Sequence, residues 1–170
     1  MHRYKSYNAV APTTAAMVKV TTGTTIKTML QIAPPSTRQI QIISWGFSLD
    51  INPTTTAVGI VELMQTDVAA TVTAHVAAGV QPLDPNAPAS LVGLTTTTSG
   101  YTASAEGSTT ASRSFDTQLV QGQSNGAAVT NYSYQFMPDE RPIVAISKFL
   151  RVRVTFSVAS NMITWVTWDE

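Results

Sequence analysis

Phe149-Leu-Arg-Val-Arg-Val-Thr-Phe-Ser-Val158 sets Leu150, Val152, Val154, Phe156 and Val158 on one side of an extended chain and Arg151, Arg153, Thr155 and Ser157 on the other. A period of two is the pattern of a strand with one buried and one wet face. Residues 162–168 are again apolar and β-branched, and Ala159-Ser160-Asn161 between the two runs predicts a hairpin.

The same reading extends towards the N-terminus. Over residues 25–33, Ile26, Thr28, Leu30 and Ile32 alternate with Lys27 and Gln31, and Pro34-Pro35 ends the run. Over residues 39–51 the apolar set is Ile40 and Ile42, then Ile43, Trp45, Phe47, Leu49 and Ile51. The inward parity switches between Ile42 and Ile43, so a β-bulge there keeps one face buried. Residues 59–66 read as a more fully buried strand. Residues 67–79 stay open: Val68, Val72 and Val76 fit a helix, whereas Val72, Ala74 and Val76 against Thr71, Thr73 and His75 fit a strand, the reading preferred here. Three prolines in residues 82–88 make a surface loop, one candidate for a contact surface. Residues 101–105, 108–120 and 131–137 read as short strands, with Tyr132, Tyr134 and Phe136 on one face of the last.

Threonine is the commonest residue, with runs at 54–56 and 95–98, and valine and isoleucine are frequent. These β-branched side chains favour pleated strands. Eight or so strands with Gly, Ser and Asn turns predict an all-β fold, a jelly-roll-like β-sandwich. A length of 170 residues suits one domain. Residues 1–16 carry no period and read as an extended N-terminal arm, dispensable to the fold, on a single β-sandwich domain over 17–170.

Charged residues make up 12% of the chain, and ten Lys/Arg balance ten Asp/Glu. A nucleic-acid binder clusters its cations; here Arg3 with Lys5, and Arg151 with Arg153, are the dense groupings, so no direct nucleic-acid contact is expected. A nearly uncharged surface suits a protein that lives against neighbours. Without cysteine there is no disulfide, thiolate or Cys-ligated zinc. No run approaches the ~20 apolar residues of a membrane span, and no signal-peptide core follows the basic start.

Catalytic candidates are few. His2 and His75 are the two histidines, and His75 has no second acid–base group beside it in sequence, which points to a structural or surface residue. Gly23, Gly46, Gly59, Gly79, Gly93, Gly100, Gly107, Gly122 and Gly126 are scattered as turn residues, outside any phosphate-binding spacing. Asp50, Glu62, Asp67, Asp84, Glu106 and Asp116 sit in no glycosidase motif. Asp50-Ile-Asn52 and Asp84-Pro-Asn86 offer oxygen ligands but lack the remainder of a calcium loop. Trp45, Trp165 and Trp168 suit a core or a subunit interface better than a sugar platform. The expectation is a non-enzymatic protein with no cofactor, no metal and no catalytic residue.

Gly59-Ile-Val-Glu-Leu63, Tyr101-Thr-Ala-Ser-Ala-Glu-Gly107, Pro138-Asp-Glu-Arg-Pro142 and Phe149-Leu-Arg-Val-Arg-Val-Thr-Phe156 together resemble the β-rich virion structural proteins of tailed bacteriophages. The capsid decoration, or cement, proteins are the most similar in look. The resemblance implies a jelly-roll-like homotrimer on the outer capsid surface that clamps neighbouring subunits of the major capsid protein. Position and residue type, not the resemblance, nominate Arg3, Tyr4, Lys5 and Tyr7 as arm contacts to the capsid. Alternatives are a minor tail or fibre protein that binds a receptor or carbohydrate, and a β-sandwich hydrolase.

Overall fold

The computed structural model describes residues 2–54, 58–123 and 129–170. Met1, Thr55 and Thr56 of the first threonine run, and the turn glycine Gly126, lie outside the described residues. Among the described residues the chain is all β apart from two 3-10 turns at Ala77–Gly79 and Pro138–Glu140. The strands are β1 (Arg3–Tyr7), β2 (Val20–Thr21), β3 (Ile26–Ile32), β4 (Ile40–Leu49), β5 (Val58–Thr66), β6 (Thr71–Ala74) and β7 (Val80–Pro82), followed by β8 (Gly100–Ala105), β9 (Ser112–Gln121), β10 (Asn131–Gln135), β11 (Ile143–Val144), β12 (Phe149–Thr155) and β13 (Asn161–Asp169).

They form two antiparallel sheets. One runs β10-β4-β13-β1-β7, with β11 on β4 and β2 on β13; the other runs β6-β8-β3-β12-β5-β9. Between them lies one core to which both sheets contribute: Ile42, Trp45, Phe47, Val166 and Trp168 from the first, and Leu30, Leu63, Val152, Val154 and the adjoining Phe156 from the second, each 2% exposed or less. This is a β-sandwich, the architecture that alternating apolar runs of both sheets require.

The parity switch in β4 is resolved as the sequence requires. Thr167 pairs with Ser44 and Trp168 with Ile42, so Ile43 is the extra residue of a bulge, and Ile42 and Trp45 both face the core. The open segment 67–79 resolves as the short strand β6 and a 3-10 turn.

Four expectations are corrected. First, β12 and β13 are not a hairpin. β12 lies between β3 and β5, while β13 lies between β4 and β1, so residues 156–160 carry the chain from one sheet to the other. Phe156 anchors that crossing over Gly59, where a Cβ would meet its ring at 1.8 Å. Second, β3 does not alternate throughout. Leu30 pairs with Val152 but Thr28 with Arg153, so Met29 bulges inward, Ile26 is exposed, and Thr28 is buried on the other face beneath Glu106.

Third, Arg151 is not on a wet face; it is 1% exposed. Residues 67–70 and 105–107 fold over it, and its guanidinium donates to the Glu106 carbonyl and carboxylate and to the Val68 carbonyl. Glu106 also accepts from the backbone and hydroxyl of Thr28, at 2.5 and 2.6 Å, which ties the covering loop to β3.

Fourth, residues 1–16 are not a detached arm. Arg3–Tyr7 forms β1, inside its sheet between β13 and β7. His2 and Glu170 exchange two backbone bonds, and the Asn8 side chain bonds both the Met162 carbonyl and the Thr164 amide. The lack of periodicity over residues 1–16 misled because β1 is short and contains Tyr4 and Ser6, not aliphatic residues, on its inward side. Between β1 and β2, residues 8–19 run outside regular strands, with Val10 and Val18 exposed.

His75 pins β1 from below. Its ring is 3% exposed and packs on Tyr101, and its Nε2 lies 2.9 Å from the Ser6 hydroxyl, which donates to the Gly79 carbonyl. With the hydroxyl proton so used, Nε2 carries the donated hydrogen. Burial pushes the imidazole down to about 4.

Two predictions follow from β1. Deleting residues 1–8 removes an interior strand and leaves β7 unpaired, so the melting temperature should fall by ~15 °C or more, or folding should fail; a variant that melts with the full-length chain restores the arm reading. Because His75 binds its proton more weakly folded than unfolded, its contribution is complete above pH ~6.5 and is lost as pH falls towards 4, on the order of 2–3 kcal/mol. His75→Gln should flatten the dependence of melting temperature on pH between 7 and 4.5; equal slopes in the two proteins contradict this.

Candidate functional site

Alternation along β1 divides the four residues nominated from the sequence. Tyr4 points inward: it is 2% exposed, packs on Trp168 and donates its hydroxyl to the Pro88 carbonyl at 2.9 Å. Burial, and then Glu170, raise its ionisation above the ordinary tyrosine value. Arg3, Lys5 and Tyr7 point outward, onto the solvent face of the seven-stranded sheet. The structure therefore brings three of the four together and removes Tyr4 from any contact role.

Register then builds a surface around those three. Tyr7 pairs with Trp165, Trp165 with Gly46 and Gly46 with Ser133, one row across four strands. The indole lies against the sheet because Gly46 has no side chain; a Cβ there would stand 2.6 Å from the ring. The neighbouring row is Lys5, Thr167, Ser44 and Gln135. Lys5 Nζ sits 4.3 Å from the Trp165 ring centre and 4.9 Å from that of Tyr7, within cation–π reach of both. A shallow hollow of about 290 Å³ beside Trp165 is bordered by Ser48, Asn131 and Ser133.

Arg3 closes the end of the same face. Its Nε is 3.4 Å from Asp169, which Arg141 also approaches at 3.6 Å. Arg3 thus leans towards Asp169 at the sheet's end while its side chain stays 58% exposed. The result is a flat patch with an aromatic–cationic centre and a rim of hydroxyls and amides. Trp45 and Trp168 lie in the core, so of the three tryptophans Trp165 is the one directed outward.

Sequence reasoning missed Trp165 and Gly46 as partners of Lys5 and Tyr7. The pairing joins residues some 160 positions apart in sequence, and no local pattern encodes it. The signal that was available is Trp165 itself, which falls out of phase with Val166 and Trp168 on its strand.

The carboxylates considered for chemistry are engaged by their own neighbours. Asp50 accepts from Lys19 at 2.6 Å and from the Asn161 amide and side chain, and chiefly the Lys19 bond holds it well below the usual carboxylate range. Glu62 pairs with Arg153, Asp67 with Thr110, and Glu106 with Arg151. Asn52 ties the Gln121 carbonyl to the Thr130 hydroxyl, and Asp84 forms a local turn with Asn86. Asp116 accepts from Trp45 and Tyr132. Each of these groups holds loops or sheet edges together. Among the described residues no group of three or more His, Cys, Asp or Glu is arranged to hold a metal ion, and no helix is long and apolar enough to cross a membrane.

No family model, curated protein or solved structure matches the chain.

Proposed function

We propose that this chain is a non-catalytic virion structural protein, a capsid decoration protein that binds the outer surface of a phage head and stabilises the lattice of the major capsid protein. The observation that carries the reading is the outward face of the seven-stranded sheet, where Tyr7, Trp165 and Lys5 form one stacked centre within a polar rim. Binding energy at protein interfaces concentrates in such aromatic anchors, with polar surroundings that exclude water.

Three further features support it. The face is built on paired strands of a packed sandwich, so little entropy is lost when it docks. The low charge of the whole chain suits close packing against neighbours. A shell repeats its subunits, so modest contacts gain by avidity. The jelly-roll-like subunit and the homotrimer implied by the phage resemblance belong to this same proposal.

The test uses heads of a tailed phage stripped of the protein, with binding measured by co-sedimentation. Trp165→Ala should weaken binding by ~30-fold or more while the fold, followed by circular dichroism, is retained. Leu119→Ala, on the opposite sheet, should bind as the unmodified chain does. Failure of the unmodified chain to bind heads, or equal binding by Trp165→Ala, contradicts the proposal.

A further inference from the structure

Among the described residues, a groove runs along one side of the sandwich. There the edge strand β9 faces the edge strand β10, across this groove of about 470 Å³ lined by Phe115, Asp116, Gln118, Tyr132, Tyr134, Phe136 and Glu140. β10 supplies its aromatic wall. Tyr132 packs edge-on against Trp45, and Tyr134 meets Phe136 at 5.0 Å and 80°, with Tyr134 39% exposed.

β9 supplies a polar wall by an irregularity. Leu63 pairs with Asp116 and Met64 with Ser114, so Phe115 is an extra residue and the ladder breaks there. Consecutive strand residues ordinarily point to opposite faces. The bulge turns both Phe115 and Asp116 into the groove, which regular pairing forbids; such bulges commonly re-aim side chains beside sites. Asp116 is held in place from three directions. One oxygen accepts from Trp45 Nε1 at 3.0 Å and Tyr132 Oη at 2.6 Å, and the other from Gln118 Nε2 at 2.7 Å.

We propose that this groove binds a neutral hexopyranose chain. An exposed tyrosine face stacks on the C–H face of a pyranose ring, while an oriented carboxylate and a side-chain amide hydrogen-bond its hydroxyls. The carboxylate wall disfavours acidic sugars. The bulge also favours a sugar over an added peptide strand, because it interrupts the ladder edge that strand addition needs. The inference does not rest on the shell-binding reading: none of Lys5, Tyr7 and Trp165 lines the groove, which meets the hollow beside Trp165 at Tyr132.

Calorimetric titration of the intact chain with maltohexaose, cellohexaose and chitohexaose tests it. At least one glycan should bind with a Kd below ~1 mM. Tyr134→Ala and Gln118→Ala should each weaken that binding tenfold or more, and Val18→Ala, on the exposed loop before β2, should leave it unchanged. No binding to any of the three glycans overturns the proposal, as does binding that survives both groove variants. Binding of an extended Val/Thr hexapeptide that is lost in Tyr134→Ala, without glycan binding, assigns the groove to peptide and overturns it too.

Discussion

The seven-stranded sheet depends on the antiparallel ladder between β1 and β13, in which Arg3 to Tyr7 lie opposite Asp169 to Trp165. β7 has β1 as its neighbour in the sheet and joins it only through that ladder. Tyr4 then closes the core over Trp168, and Ser6 ties the sheet to His75 and Gly79. The same five residues serve the outer surface, because strand alternation sends Lys5 and Tyr7 the other way. Stability and the proposed docking face therefore share one segment: the inward residues fix its position and the outward ones present the chemistry.

What was legible in the sequence was local. The all-β class and most strands followed from β-branched runs with period two, and the Ile42/Ile43 bulge followed from a parity switch within one strand. Pairing was not legible. Residues 149–158 and 162–168 look like a hairpin because they are adjacent and both amphipathic, yet each pairs within a different sheet. A short connection can turn a hairpin or cross a sandwich, and the difference rests on distant partners such as Gly59 beneath Phe156.

The misreadings of Arg151 and of residues 1–16 have a common cause. Periodicity tells which side of a strand is apolar, but not what later folds over the other side. Arg151 sits on the polar side of β12 and is buried because residues 105–107 and 67–70 cover it with carbonyls and a carboxylate. Arg3 and Lys5 look like a basic tail until Asp169, Thr167 and Trp165 are placed beside them. For the candidate face, position and residue type nominated Arg3, Lys5 and Tyr7, which the structure places on one surface, from the wrong structural premise, and Trp165, its centre, needed the register of β13.

The central claim is that residues 3–7 are core strand, not arm, and amide hydrogen exchange measured residue by residue tests it most directly. Protection of the Tyr4 to Tyr7 amides that bond to β13 or β7 should match that of β4 and β13, with exchange only through global unfolding. Exchange of those amides at the rate of an unstructured peptide, with β4 and β13 still protected, contradicts the account.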